Sequence, residues 1–321
     1  MKLNIKKVLY VFVMALLLGC ADPSQIDLSQ IPTVAPPPSP TPFDTPTPVG
    51  SSAENQIGDN QNDSAEDYTD ENVVERVNTD ESLDVLFVGN SFTYYNDLPG
   101  MFRELAQAGG YNVRVDMVAE GGASLQDHSF SPETLDAIIS NRWDYVVLQE
   151  QSQVPVFAAL DYNNVNSGEF FADEMFNGAQ GLDAIVQQQG GETVFFVAWG
   201  RDEERSKTTF PGQPMTSDEM QVYINSAYLK VAEDLGGREV VPVGSAWQAA
   251  RKNDVADEFL WTDDGYHPDV AGTYLTACVF YASFFGSTPE GLAYAGGLNE
   301  DDALMLQKVA WDQVSSGSFD Y

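Results

Sequence analysis

Asp84-Val85-Leu86-Phe87-Val88-Gly89 runs directly into Asn90-Ser91-Phe92-Thr93. A short, nearly continuous apolar run closed by glycine reads as a β-strand covered on both faces. Four similar runs follow: Val113–Val118, Asp144–Gln149, Thr193–Trp199 and Glu239–Val243. The segments between them carry helical patterns. Leu98–Ala108 has apolar residues at helical spacing and stops at Gly109-Gly110. Ser131-Pro132 opens another helix, with serine as N-cap and proline in the first turn. Phe170–Gln189 and Ser217–Leu235 each end at a Gly-Gly pair. This alternation predicts the α/β class: a five-stranded parallel sheet between helices, in three layers α/β/α. Such a sheet carries its site beyond the carboxyl ends of its strands. Ser91 follows the first strand, Gly121-Gly122 the second, and Gln149 to Ser152 the third. All three segments therefore project to one edge.

The amino-terminal segment reads as an export signal. Lys2, Lys6 and Lys7 precede an apolar run from Val8 to Leu18. That run is too short to span about 30 Å of hydrocarbon as a helix. It ends Leu17-Leu18-Gly19-Cys20, which resembles a bacterial lipobox. The resemblance implies a signal peptide over residues 1–19 and lipidation of Cys20. Residues 20–82 then read as a lipidated tether. Pro36 to Pro48 favours extended polyproline structure, and Asn55 to Glu81 is acidic, polar and poor in large apolar residues. Stretched out, the tether reaches on the order of 200 Å. The expected location is extracytoplasmic, anchored to a bacterial membrane through lipid alone. No other segment is apolar and long enough to cross a membrane.

Residues 83–321 form one domain with ample length for a core. Of the formal charge of −34, the tether and leader account for a minority, and the domain itself carries about −25. Nucleic-acid binding needs a basic face and is excluded. Strongly anionic polymers are repelled. The chain has two cysteines. With Cys20 lipidated, Cys278 is left in the apolar stretch Tyr274–Phe285, where it reads as a buried small hydrophobe. Neither an intramolecular disulfide nor a cysteine-based zinc site is then available.

A serine hydroxyl needs a neighbouring base to become a nucleophile at neutral pH, and histidine is the usual one. Only His128 and His267 are present. His267 lies in Asp264-Gly265-Tyr266-His267-Pro268, 176 residues after Ser91. Asp264, three residues earlier, is spaced to orient the far ring nitrogen and stabilise an imidazolium. Pro268 suits the first turn of a helix over Val270–Phe285. His128, beside Asp127, is the weaker candidate and reads as structural. Asp202-Glu203-Glu204 lacks clustered histidines and reads as a solvated loop, so no metal site is expected. An acyl-transfer site also needs donors for a tetrahedral oxyanion. The Ser91 amide, a glycine amide and a side-chain amide are available.

These blocks are similar to those of the SGNH (GDSL-type) hydrolases, over roughly Leu83 to Phe285. Gly89-Asn90-Ser91 resembles the first block, with asparagine where many members have aspartate. Gly121-Gly122-Ala123-Ser124-Leu125 resembles the second, and Asp264 to Pro268 the last. The resemblance implies Ser91 as nucleophile, His267 as general base and then acid, and Asp264 as its partner. It implies Gly122 as the oxyanion glycine, a flavodoxin-like sheet and no cofactor. The third block departs: the family usually places Gly-x-Asn-Asp after the third strand, whereas this chain has Gln149-Glu150-Gln151-Ser152. A glutamine amide offers the same hydrogen bond, and Gln149 and Gln151 are the candidates, with Gln149 favoured. Tyr94, Tyr95, Trp199 and Trp261 flank the expected site and are suited either to sugar stacking or to core packing. The leading expectation is a tethered serine esterase for a small acyl ester, such as an acetyl group on a glycan. The rivals are a lipase or thioesterase, and a non-catalytic glycan- or solute-binding lipoprotein.

Overall fold

Leu83–Gly89 forms β1, the strand on which the domain is built. The computed structural model describes residues 82–162, 170–210, 214–253 and 255–317. The signal segment, Cys20 and the tether up to residue 81 lie outside the described residues, as does 163–169. The other strands are β2 (Val113–Ala119), β3 (Tyr145–Leu148), β4 (Glu192–Phe196) and β5 (Glu239–Val241). They lie in the order β2-β1-β3-β4-β5, all parallel. Val88 pairs with Val118 on one side and Leu148 on the other, so three carboxyl ends align at one edge.

Two-residue periodicity divides each inner strand between two cores. Val85, Phe87, Val147, Val194 and Phe196 pack with the helices Leu98–Ala108, Val243–Lys252, Val270–Phe285 and Glu300–Ser316. Leu86, Val88, Val146, Leu148 and Phe195 pack against Leu125–Phe130, Pro132–Ser140, Val154–Tyr162, Phe170–Gln189 and Ser217–Asp234. The result is the expected three-layer α/β/α arrangement. Because both faces are covered, β1 needs no polar alternation. The edge strand β2 does alternate, with Arg114 exposed and Val113 buried. Among the described residues no helix is long and apolar enough to cross a membrane.

Capping signals set the helix ends as read. Ser131 accepts from the Thr134 amide with Pro132 in the first turn, and Thr216 and Glu219 form a capping box. Several boundaries shift by one residue, and three details depart further from the sequence reading. β4 stops at Phe196, after which Val197 N donates to Val241 O and the chain turns out of the sheet. β5 stops at Val241, because Pro242 has no N–H for the ladder and Val243 opens a helix. Pro268 precedes the helix and pairs across an isolated bridge with Trp261, while Asp269 supplies the N-cap.

Val270–Phe285 is buried almost all round, as its apolar sequence requires. It approaches its neighbours so closely that a Cβ at Gly272 would lie 2.3 Å from Leu260 O and 2.5 Å from the Trp247 ring. Backbone and an immobilised indole cannot yield cheaply. Gly272→Ala should therefore lower the unfolding free energy by about 1–3 kcal/mol, read as a lower denaturant midpoint with an unchanged slope.

Candidate active site

Asn90 joins the three loops at the active edge. Its backbone N donates to Gln149 Oε1 (3.0 Å) and its Nδ2 to Ala123 O (2.9 Å), while its Oδ1 accepts from Phe92 N (3.2 Å). Asn90 is thus the N-cap of the short helix Ser91–Tyr94. This places Ser91 at the first helical position, where its own N–H has no acceptor in a preceding turn. Thr93 Oγ1 also donates to Gln149 Oε1 (2.9 Å).

Ser91, His267 and Asp264 are brought together. Ser91 Oγ lies 2.9 Å from His267 Nε2, and His267 Nδ1 lies 2.7 Å from Asp264 Oδ2. The other carboxylate oxygen of Asp264 accepts from His267 N (2.9 Å), Tyr266 N (3.0 Å) and Thr262 Oγ1 (3.0 Å). Burial opposes ionisation of Asp264, but these bonds from His267, Tyr266 and Thr262 outweigh it and hold the carboxyl below its ordinary range. An anion fixed in this way requires a proton on His267 Nδ1, which leaves Nε2 free to accept from serine.

One stacking contact holds the imidazole, and a second side chain ties down the backbone beside it. Tyr95 stacks flat on it, with centroids 4.2 Å apart and planes 3° from parallel. Asn96 reaches across from the Ser91 segment, donating from Nδ2 to Pro268 O (3.1 Å) and Thr273 Oγ1 (2.9 Å). Asn96 and Asp97 both have positive φ, 51° and 53°, a backbone shape that asparagine and aspartate tolerate best after glycine. Nothing in the sequence marked Asn96 beforehand beyond its place after two tyrosines.

Ser91 and His267 open onto a cavity of about 390 Å³. Gly122 lines it at φ +76°, with open space where a Cβ would stand. Gln151 lines it too; its Oε1 accepts from Gln153 N (2.7 Å) and Val154 N (3.3 Å), which leaves Nε2 as the donating end. Gln149, favoured from the sequence, is elsewhere. It is fully buried beneath the site, its Oε1 taken by Asn90 and Thr93 and its Nε2 donating to Glu150 O. Gln149 braces the loops, and Gln151 reaches the cavity.

The aromatics divide likewise. Trp199 and Trp261 are buried; Trp199 stacks between Phe92 (4.6 Å) and Trp247 (4.1 Å), and Trp261 meets Trp247 edge-on. Neither is a surface for sugars. Tyr94 is partly exposed and lines the cavity. His128 is buried, with Nε2 2.8 Å from Gly89 O and Nδ1 2.8 Å from Thr134 Oγ1. A carbonyl only accepts, so Nε2 carries the proton and Thr134 donates to Nδ1. Burial lowers its pKa despite the Gly89 bond, which suits a neutral structural brace. Asp202 caps the helix Glu203–Thr209, and Glu203 pairs with Lys207. Among the described residues no cluster of His, Cys, Asp and Glu could hold a metal.

The chain matches no family model and no curated protein. Solved structures do resemble it. A DUF4886 family protein from Bacteroides uniformis superposes with a TM-score of 0.61 at 19% identity, over 74% of this chain and 96% of that one. At that identity the likeness is one of fold alone. A protein from Slackia heliotrinireducens provisionally assigned to the SGNH hydrolases is 26% identical over 62% of this chain and 97% of its own, with a TM-score of 0.47. A catalytic mutant of an acetylxylan esterase from Geobacillus stearothermophilus is 17% identical over 62% and 92%, also at 0.47.

One buried acid under the site had no signal in the sequence. Glu150 is fully buried, and its Oε1 accepts from Leu125 N (3.1 Å) and Gln151 N (2.6 Å), clamping the second and third loops together. Its Oε2 has no partner among the described residues. Burial pushes its carboxyl up to about 8, against the pull of those two amides. A folded-state value above the ordinary 4.5 means that the native state holds this proton more tightly. The associated stability is complete below the ordinary value and declines as pH rises towards 8. Denaturant titrations at the two ends of that window should show wild-type stability falling more steeply with pH than that of Glu150→Gln, which keeps the acceptor oxygen and cannot ionise.

Proposed function

We propose that this chain is a serine esterase that removes a small acyl group by way of an acyl-enzyme. The observation that carries this reading is the unbroken path from Asp264 through His267 to Ser91 Oγ at the mouth of a cavity. In the first half-reaction His267 Nε2 takes the serine proton as Oγ adds to the ester carbonyl. The Ser91 amide, the Gly122 amide and Gln151 Nε2 are the assigned donors to the oxyanion. His267 then returns the proton to the departing alcohol. In the second half-reaction water, deprotonated by His267, attacks the acyl carbon, and Ser91 leaves as the hydroxyl.

A small acyl group fits the lining. Asn90, Ser91, Gln151, Ser152, Arg201 and Arg205 give the cavity a polar wall, while a long acyl chain needs continuous apolar surface. We assign acetyl esters, including those on glycans, as the substrate class. We further assign the enzyme to an extracytoplasmic membrane face, anchored by lipid on Cys20, with residues 20–82 as the spacer.

Hydrolysis of 4-nitrophenyl acetate and 4-nitrophenyl octanoate tests this directly. The acetate should be the better substrate, and Ser91→Ala should abolish turnover while leaving the circular dichroism spectrum unchanged. Retained activity in Ser91→Ala would remove the serine from its role, and a preference for octanoate would turn the reading towards a lipase. Asp264→Asn should keep the fold and lower kcat on the order of 10³–10⁴-fold, because the amide no longer fixes the tautomer.

A further inference from the structure

Arg201 and Arg205 stand out in a domain with so many carboxylates. Arg103, Arg114, Arg238 and Arg251 each form an ion pair. Among the described residues, Arg201, Arg205 and the exposed Arg142 form none, and of these three Arg201 and Arg205 line the Ser91 cavity. Both lie against one ring, with guanidinium carbons 5.1 Å and 5.7 Å from the centre of Tyr266. Among the described residues the Arg201 guanidinium has one hydrogen bond, from Nη2 to Ser152 Oγ at 3.5 Å, and its Nε is buried without an acceptor. Burial and the neighbouring Arg205 both lower its pKa.

This arrangement is costly as it stands. Two like charges lie close enough to disfavour each other, and a partly buried guanidinium has one hydrogen bond and an unpaired Nε. An anion entering the cavity supplies what is missing: a counter-charge for both arginines. The planar guanidinium fork matches a carboxylate in a bidentate geometry. The domain's charge of about −25 opposes a dianion more than a monoanion, so one carboxylate suits the site better than a phosphate.

We infer that Arg201 and Arg205 form a carboxylate-binding subsite beside Ser91, and that the substrate is an ester carrying a single carboxylate near its scissile bond. The inference rests on the esterase reading for its second half only. The subsite itself exists whether or not serine turns over.

Binding is therefore measured apart from catalysis, on the full chain carrying Ser91→Ala. The probes are two matched pairs: 4-nitrophenyl hydrogen succinate against 4-nitrophenyl butyrate, and 3-acetoxybenzoate against phenyl acetate. The first pair places the carboxylate on the acyl side and the second on the alcohol side. At low ionic strength at least one anionic member should bind about tenfold or more tightly than its neutral partner, and added salt should erode the difference. Arg205→Gln changes an exposed residue and tests the charge without endangering the core; it should shrink the preference. Arg201→Lys keeps the charge, loses the fork and should shrink it too. Equal binding within both pairs, or a preference untouched by either variant, overturns the subsite. If the preference holds but wild-type protein hydrolyses none of the four esters, the subsite stands and the esterase reading falls.

Discussion

The backbone and side chain of one asparagine together set the geometry on which the active edge depends. Asn90 is buried where β1 ends, and its three hydrogen bonds reach the Ala123 loop, the Gln149 strand end and the first turn of its own helix. A buried amide left unpaired is costly, so these bonds are strongly enforced. They fix the distance between the loops bearing Ser91, Gly122 and Gln151. Below that level His128 and Glu150 repeat the device, each using buried polar atoms to tie one loop to another. The cavity floor is a hydrogen-bonded lattice rather than an apolar plug, which makes the loops rigid without making the site greasy.

Above the floor the electrostatics are local. The domain is strongly acidic, yet the basic side chains His267, Arg201 and Arg205 line the cavity beside Ser91. Asp264 is the exception, and it is spoken for by four donors. The general acidity keeps the surface soluble and acts over distances that salt screens. The cavity works at contact range, where desolvation strengthens each pairing. Global and local charge therefore have opposite signs and need not conflict.

Much of this was legible in the chain. The apolar runs located five strands because a strand covered on both faces has no need for polar residues. Ser91, Asp264 and His267 were legible because so few histidines are present and because the blocks resemble those of a known family. Gln149 and Gln151 were not separable, since both are amides at one strand end. Two positions of chain direction decide between them: Gln149 still follows the sheet inward, while Gln151 has turned out to cap Val154–Tyr162. Trp199 and Trp261 sat beside the site in sequence and proved to be core, because each indole N–H finds a buried carbonyl, Tyr266 O and Gly200 O. The arginines were silent in the sequence. Only the fold reveals which cations lack partners.

The stack of Phe92, Trp199 and Trp247, closed edge-on by Trp261, has an optical consequence. Phe92 adjoins Ser91 in the chain, and Trp199 and Trp247 lie nearly parallel, 7° apart. Aromatic rings this close and this rigid couple their electronic transitions. Three of the five tryptophans in the chain belong to this column. The near-ultraviolet signal of the domain is thus weighted towards the segment that carries the serine, and the protein has an intrinsic chromophore for the integrity of its own site.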